Sequence, residues 1–187
     1  MRLHWRRPLR ADAIYKMERN AEEKLKAVKR FKCIRNLVII TLIVAAVFRF
    51  VIGVSKVSGY SMYPTLENGD FVIYSRLEHT IGYGDIVAIK LASGEKYVKR
   101  IVALGGDTVS IKNGVFYVNG VQQDDMSTLE EDGGLIYPLT VPEGDVFTLG
   151  DNRPESIDSR FYGTVNARQI QGVLRYRIHG FSVSKVG

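Results

Sequence analysis

Residues 97–118 read YVKRIVALGGDTVSIKNGVFYV. Short β-branched and aromatic runs alternate with turn residues, and helical spacing of apolar positions is missing. Asn113-Gly114 stands between the runs 108–112 and 115–118, the dipeptide best suited to a two-residue hairpin turn. The stretch therefore predicts a long strand over 97–104 followed by a hairpin. Further runs of the same kind lie at 71–75, 85–91, 146–149 and 172–179. Gly-Asp occurs at 69–70, 84–85, 106–107, 144–145 and 150–151, and its simplest reading is turn chemistry. Residues 55–187 thus predict a mostly β, antiparallel domain. Within it, residues 122–137 carry Asp124, Asp125, Glu130, Glu131 and Asp132 and predict an exposed acidic loop. Its spacing does not match an EF-hand calcium loop.

The sequence before residue 55 is different. Residues 37–54, LVIITLIVAAVFRFVIGV, hold one charge, Arg49. That length approaches the ~20 residues needed to cross a bilayer. A buried core helix is the first competing reading, but no comparably apolar helix is visible to pack against it. A cleaved signal peptide is the second, with Gly53-x-Ser55 as a passable cleavage site. A 36-residue leader is long for that role, so an uncleaved transmembrane helix is preferred. Lys29, Arg30, Lys32 and Arg35 precede the span, and the positive-inside rule puts the N-terminus in the cytoplasm. Three segments follow: a basic, partly helical cytoplasmic arm (1–36), a transmembrane helix (37–54) and an extracytoplasmic β domain (55–187). In the arm, Ile14, Met17, Ala21, Leu25, Val28 and Phe31 form a helical stripe. It extends the anchor helix, lies on anionic lipid, or is a plain solvated helix.

Charge supports this division. The chain of 187 residues has a formal net charge of +6, yet residues 1–36 hold 12 Lys/Arg against 4 Asp/Glu, and the remainder holds 14 against 16. The β domain lacks the basic face of a nucleic-acid binder, so no nucleic-acid partner is expected. The single cysteine, Cys33, excludes an internal disulfide, and His4, His79 and His179 show no ligand spacing, so no metal or other cofactor is expected. Both histidines of the body read as structural.

With cysteine and histidine set aside, nucleophilic chemistry falls to serine and lysine. Ser61 sits in a Gly/Pro-bounded turn just after the apolar span. Lys99 lies on the predicted strand, where alternation puts Tyr97, Lys99 and Ile101 on one face. If that face is inward, burial lowers the lysine pKa and yields an amine able to take a proton. From spacing alone, an exposed turn serine and a snorkelling lysine remain the simpler account. Residues 150–160, GDNRPESIDSR, form a polar segment in which Asp158 and Arg160 are placed for a local ion pair.

Taken together, SGYSMYPTL (58–66), YVKRIVALGGD (97–107) and GDNRPESIDSR (150–160) resemble the boxes of bacterial type I signal peptidases, and GDIVAI (84–89) resembles a further one. The chain looks like the single-span form typical of Gram-positive bacteria. The resemblance implies a membrane-anchored Ser/Lys endopeptidase that removes signal peptides from secretory preproteins after Ala-x-Ala-like sites. It implies Ser61 as nucleophile, Lys99 as general base, Ser156 orienting the Lys99 amine, and Asp158 with Arg160 as a supporting pair. Met62 and Tyr97 would line the substrate cleft, with the substrate bound as an extended strand beside membrane lipid. The alternatives are a specialised relative acting in pilus or surface-protein assembly, and a self-cleaving Ser/Lys repressor, which the apolar span argues against. Two departures stand out. The position two before Ser61, a hydroxyl donor in some members, is Gly59, with Ser58 one further back. Glu155 precedes Ser156, where an ionised carboxylate would oppose a lowered lysine pKa; it is expected to point to solvent.

Overall fold

The computed structural model describes residues 11–78, 80–123 and 134–186. His4, His79 and the heart of the predicted acidic loop lie outside them. Two compact units divide the chain between Val47 and Phe48.

The first unit belongs to one helix, α1, Ala11–Phe50. Its charged part carries i,i+4 pairs, Arg19–Glu23 and Glu22–Lys26, each at 3.9 Å. Its apolar part is long and apolar enough to cross a membrane by length and composition, and its Leu, Ile and Val side chains are exposed. Cys33 is an exposed free thiol. The expected span to Val54 differs at its end, because the helix stops at Phe50 and a strand begins at Ile52. Gly53 gives the reason: a Cβ there would fall 2.0 Å from the Tyr74 ring of the facing strand, so the bare backbone takes the aromatic over itself.

The second unit is almost wholly β. Its strands are β1 (Ile52–Lys56), β2 (Phe71–Ser75), β3 (Ile86–Lys90), β4 (Lys96–Leu104), β5 (Thr108–Lys112) and β6 (Val115–Val118). They continue as β7 (Val121–Gln122), β8 (Leu139–Thr140), β9 (Asp145–Leu149), β10 (Val165–Asn166), β11 (Ile170–His179) and β12 (Ser182–Lys185). A four-residue helix, α2 (Ser159–Tyr162), follows β9. The larger sheet runs β1-β2-β11-β3-β4-β9-β10, with β12 on β11, and the smaller runs β7-β6-β5-β8. Every pairing is antiparallel. The mostly β, antiparallel expectation with one N-terminal apolar helix therefore holds.

Central strand β3 is buried on both faces, and its alternation divides the core. Ile86 and Ala88 join Met62, Leu66 and Leu174, while Val87 and Ile89 join Ile101, Val146 and Val173. A third cluster ties the small sheet to the large one through Phe116, stacked on Phe147 at 6.0 Å. On β4, Lys99 lies opposite Val87 and two residues from Ile101, so it shares the face of the second cluster. The face that alternation gives Tyr97, Lys99 and Ile101 is turned inward, with Lys99 and Ile101 each 1% exposed, and the snorkelling lysine of the simpler account is not found.

Four of the five Gly-Asp glycines, Gly69, Gly84, Gly106 and Gly144, have φ between 81° and 97°, as turn chemistry requires. Gly150 does not share that conformation, and its role lies in the site.

Candidate active site

Ser61 is carried by the loop that joins β1 to β2. Val57 N–H donates to Asp70 C=O at 2.8 Å, and Gly69 N–H donates to Val57 C=O at 3.0 Å, closing the loop at its base. Met62 and Leu66, flanking the Pro64 turn, are sunk in the core at 2% and 0% exposure and fix the loop from below. Gly59, at φ 92°, supplies a left-handed residue two positions before Ser61. Thr65 is held from two sides. Its hydroxyl donates to Asp151 at 2.6 Å, and its carbonyl accepts from Arg177 at 2.9 Å. Asp151 in turn receives both Nε and Nη2 of Arg100, at 2.8 and 2.7 Å. Next to it, Asn152 N–H donates to the Ser61 carbonyl at 3.0 Å, and its side-chain amide donates to the Tyr60 carbonyl at 3.1 Å.

Lys99 is 1% exposed. Its Nζ donates to the Ser156 hydroxyl at 3.0 Å and lies 5.7 Å from the centroid of the Tyr97 ring. Burial pushes its pKa down to about 8, against the pull of Asp158 and with help from the positive charge of Arg160. Tyr97 is itself stacked on Tyr162 at 5.6 Å. The Tyr162 hydroxyl is deeply buried beside Thr148, and burial raises its pKa far above the ordinary tyrosine value.

Ser156 follows a 3-10 turn, Arg153–Glu155, and precedes α2. Asp158 caps α2 and pairs with Arg160 through two bonds, Nε to Oδ1 at 2.8 Å and Nη2 to Oδ2 at 3.0 Å. Both are almost fully buried, at 0% and 4%. The remaining valences are also used. Asp158 accepts from Gly150 N–H at 3.0 Å, and Arg160 donates to the carbonyls of Arg153 and Ser156 at 2.7 and 3.1 Å. The pair therefore shapes the backbone on both sides of Ser156. Glu155 is exposed, as expected, and accepts from the Asn152 amide at 3.4 Å.

Gly150 explains how Ser61 and Ser156 come together. A Cβ on Gly150 would lie 2.2 Å from the Ser156 hydroxyl and 2.4 Å from the Ser61 carbonyl. Both serines thus crowd the one place a Cβ on this residue would take. Sequence reasoning missed this residue because its Gly-Asp pair looks like the other four. It also missed Asp151 with Arg100, Thr65 and Tyr162, whose partners lie 35 or more residues away or on other strands.

A cleft of about 370 Å³ opens at Ser61, lined among others by Ser58, Met62, Ala88, Ile89 and Tyr97. Met62 and Tyr97, singled out from the sequence, both lie on it. Among the described residues the Ser61 hydroxyl makes no hydrogen bond to Lys99, and the Ser61 N–H has no intramolecular acceptor. His179, the histidine of the body within the described residues, bonds Asp70 at 2.7 Å and stands apart from Lys99. Among the described residues no group of three or more His, Cys, Asp or Glu side chains is placed to hold a metal ion. Chemically, the arrangement offers a hydroxyl at a cleft, a buried amine of lowered basicity on the strand that walls the cleft, and a free backbone donor.

The chain is similar to proteins already known. Residues 30–179 match the family model described as signal peptidase, peptidase S26. A signal peptidase I of Bacillus caldolyticus is 37% identical, aligned over 74% of this chain and 86% of its own. Signal peptidase IB of Staphylococcus aureus (strain Mu50 / ATCC 700699) is 32% identical, over 79% of this chain and 91% of its own. A solved signal peptidase I from Enterococcus faecalis V583 is 33% identical, covering 51% of this chain and 97% of its own, with a TM-score of 0.40.

Proposed function

The chain belongs to the signal peptidase family, peptidase S26, and we propose that it cuts preproteins with Ser61 as nucleophile and Lys99 as general base. The observation that carries this reading is Lys99, buried to 1% and bonded to Ser156, on the strand whose Tyr97 and Val98 wall the cleft at Ser61. Burial that deep disfavours the ammonium and makes the neutral amine of a general base available near neutral pH.

In this mechanism the neutral Lys99 amine takes the Ser61 proton as the hydroxyl oxygen attacks the scissile carbonyl. The tetrahedral oxyanion is met by the Ser61 N–H; one such donor contributes ~10²–10³ in rate. Ser58, exposed on the same cleft, is the nearest candidate for a second donor. The Lys99 ammonium then returns its proton to the leaving amine, which departs as the new N-terminus of the mature protein. Water repeats the cycle on the acyl-enzyme and restores Ser61. Ser156 and the Asp158–Arg160 pair hold Lys99 in line and are positioning residues. The substrate lies extended along the cleft, whose β1 wall is the edge strand of the larger sheet. In this reading the small side chains before the cut, as in Ala-x-Ala sites, seat on the wall formed by Met62, Ile89 and Tyr97.

The exposed apolar part of α1 and the family fit a membrane-anchored enzyme. In our reading residues 1–36 stay in the cytoplasm and the β unit lies outside. Because the helix ends at Phe50, residues 37–50 span roughly 21 Å at 1.5 Å per residue. Arg35 and Arg49 then snorkel to the two interfaces to match a thicker core of lipid.

The test is cleavage of an Ala-x-Ala preprotein by the full-length protein in detergent, with the new N-terminus sequenced. Wild type cuts at that bond, and Ser61→Ala and Lys99→Ala do not. Wild-type rates in either variant would sink the dyad.

A further inference from the structure

A second cleft, of about 200 Å³, is lined by Tyr83, Gly84, Arg100, Val102, Gln123 and Arg153 among others. It shares no lining residue with the cleft at Ser61. Its two arginines are in opposite states. Arg100 is fully engaged, with Nε and Nη2 on Asp151 and Nη1 on the Gly84 carbonyl at 2.8 Å. Arg153 is 7% exposed, yet its guanidinium makes no ion pair and no hydrogen bond among the described residues, and its Nη1 is sealed from water without a partner.

An unpaired buried cation is expensive. Arginine does not escape that cost by losing its proton, because even a pKa pushed by burial down to about 10 leaves it charged at neutral pH. Nor is a carboxylate free beside it among the described residues. Asp151 is taken by Arg100 and Thr65, and Asp158 by Arg160 and the Gly150 N–H. Three arginines, Arg100, Arg153 and Arg160, thus face two carboxylates, and the surplus positive charge falls on Arg153. Among the described residues no carboxylate is left to neutralise it, and an anion from solution would supply the counter-charge.

We infer that this cleft binds a phosphate-type oxyanion, with Arg153 as its cation and the Gln123 amide as a further donor. Tyr83 forms a wall, its own hydroxyl committed to Asp107. The volume suits a single tetrahedral anion. A free ion and the phosphodiester of a lipid headgroup present the same oxygens. Arg153 begins the 3-10 turn that leads to Ser156, and its carbonyl accepts from Arg160. An anion on its side chain would therefore stiffen the segment from Arg153 to Arg160. The inference stands on charge and cavity and does not depend on the catalytic reading.

The experiment uses the full-length protein in uncharged detergent, at constant ionic strength set with chloride. Inorganic phosphate and inorganic sulfate are titrated while the thermal midpoint is followed, for wild type, Arg153→Met and Gln123→Glu. A saturable rise in wild type is expected. Arg153→Met should weaken the apparent affinity at least about tenfold, the loss of one charge-assisted pair. Gln123→Glu should weaken it by repulsion, and it decides the matter if Arg153→Met does not fold. The source follows from reconstitution into phosphatidylglycerol and phosphatidylcholine vesicles. Both lipids carry a phosphodiester: if the response is lost in either vesicle, the site takes the lipid phosphodiester; if it survives in both, it takes the free anion. Either result supports the site. No saturable rise in wild type, or the same rise in all three proteins, overturns it and marks an adventitious ion only.

Discussion

Lys99 and Ser156 meet in a hydrogen bond of 3.0 Å, in a place where Lys99 is 1% and Ser156 5% exposed. The lysine is thus oriented by a neutral partner that does not stabilise its charge as a carboxylate would. Asp158, the carboxylate whose pull on it is strongest, is bound to Arg160.

The pH dependence follows. With Lys99 as base and its pKa at about 8, kcat/KM should rise with pH and reach half its plateau near pH 8. Initial rates on an Ala-x-Ala peptide from pH 6 to 10 test this. A flat profile would remove the lysine base.

Lys99→Met should be inactive yet more stable at pH 7. The folded pKa is lower than the unfolded one, so charging Lys99 opposes folding below about pH 8. Between that point and the ordinary lysine value the unfolded chain holds more protons, and stability rises with pH. Relief of the burden amounts to about 2–3 kcal/mol at pH 7, after the Ser156 hydroxyl loses its partner. Denaturant midpoints at pH 7 and pH 10.5 should show the advantage of the variant shrinking at the higher pH.

Ser156→Ala should lower kcat by up to about 10²-fold through misplacement of the amine, with KM little changed. Because burial is the leading cause of the lowered pKa, the midpoint of the pH profile should stay near 8. A large shift in that midpoint would mean that Ser156 sets the proton affinity of Lys99 instead of its direction.

Gly150→Ala should cost about 10²-fold or more in kcat, with a stability loss of about 1–3 kcal/mol, because its methyl group overlaps both the Ser156 hydroxyl and the Ser61 carbonyl. Alanine at Gly144, with open space around it, should affect the backbone turn and leave kcat per folded molecule unchanged. Comparing the two by active-site titration separates packing from folding.

Asp158→Asn should destabilise the protein by about 3–5 kcal/mol, since it leaves Arg160 buried without its counter-ion. Chemical denaturation would show it directly, and an unchanged midpoint would refute the structural role of the pair.

The long strands were legible because alternation and the Asn113-Gly114 turn are local signals. The two-residue strands β7, β8 and β10 carry no period to read. β1 was hidden because Ile52–Val54 are as apolar as the helix before them, and the reason for a strand there, the Tyr74 ring over Gly53, lies on another element. In the site, Ser61, Lys99, Ser156, Asp158 and Arg160 emerged from the motif resemblance, since 38 and 57 residues of separation say little alone. The Asp158–Arg160 pair is close in sequence and was readable as such. Arg100 with Asp151, and Gly150 between the serines, depend on strand register and on close approach across β4 and β9, which no linear pattern encodes.

The glycine contact also divides the enzyme for an engineer. The wall segments Val54 to Ser58 and Lys96 to Val98 are not among the atoms a Cβ on Gly150 would meet first. A library that recodes those walls can search for new cleavage sequences while the reacting groups stay in register. A library that includes Gly150 would spend its diversity on dead clones.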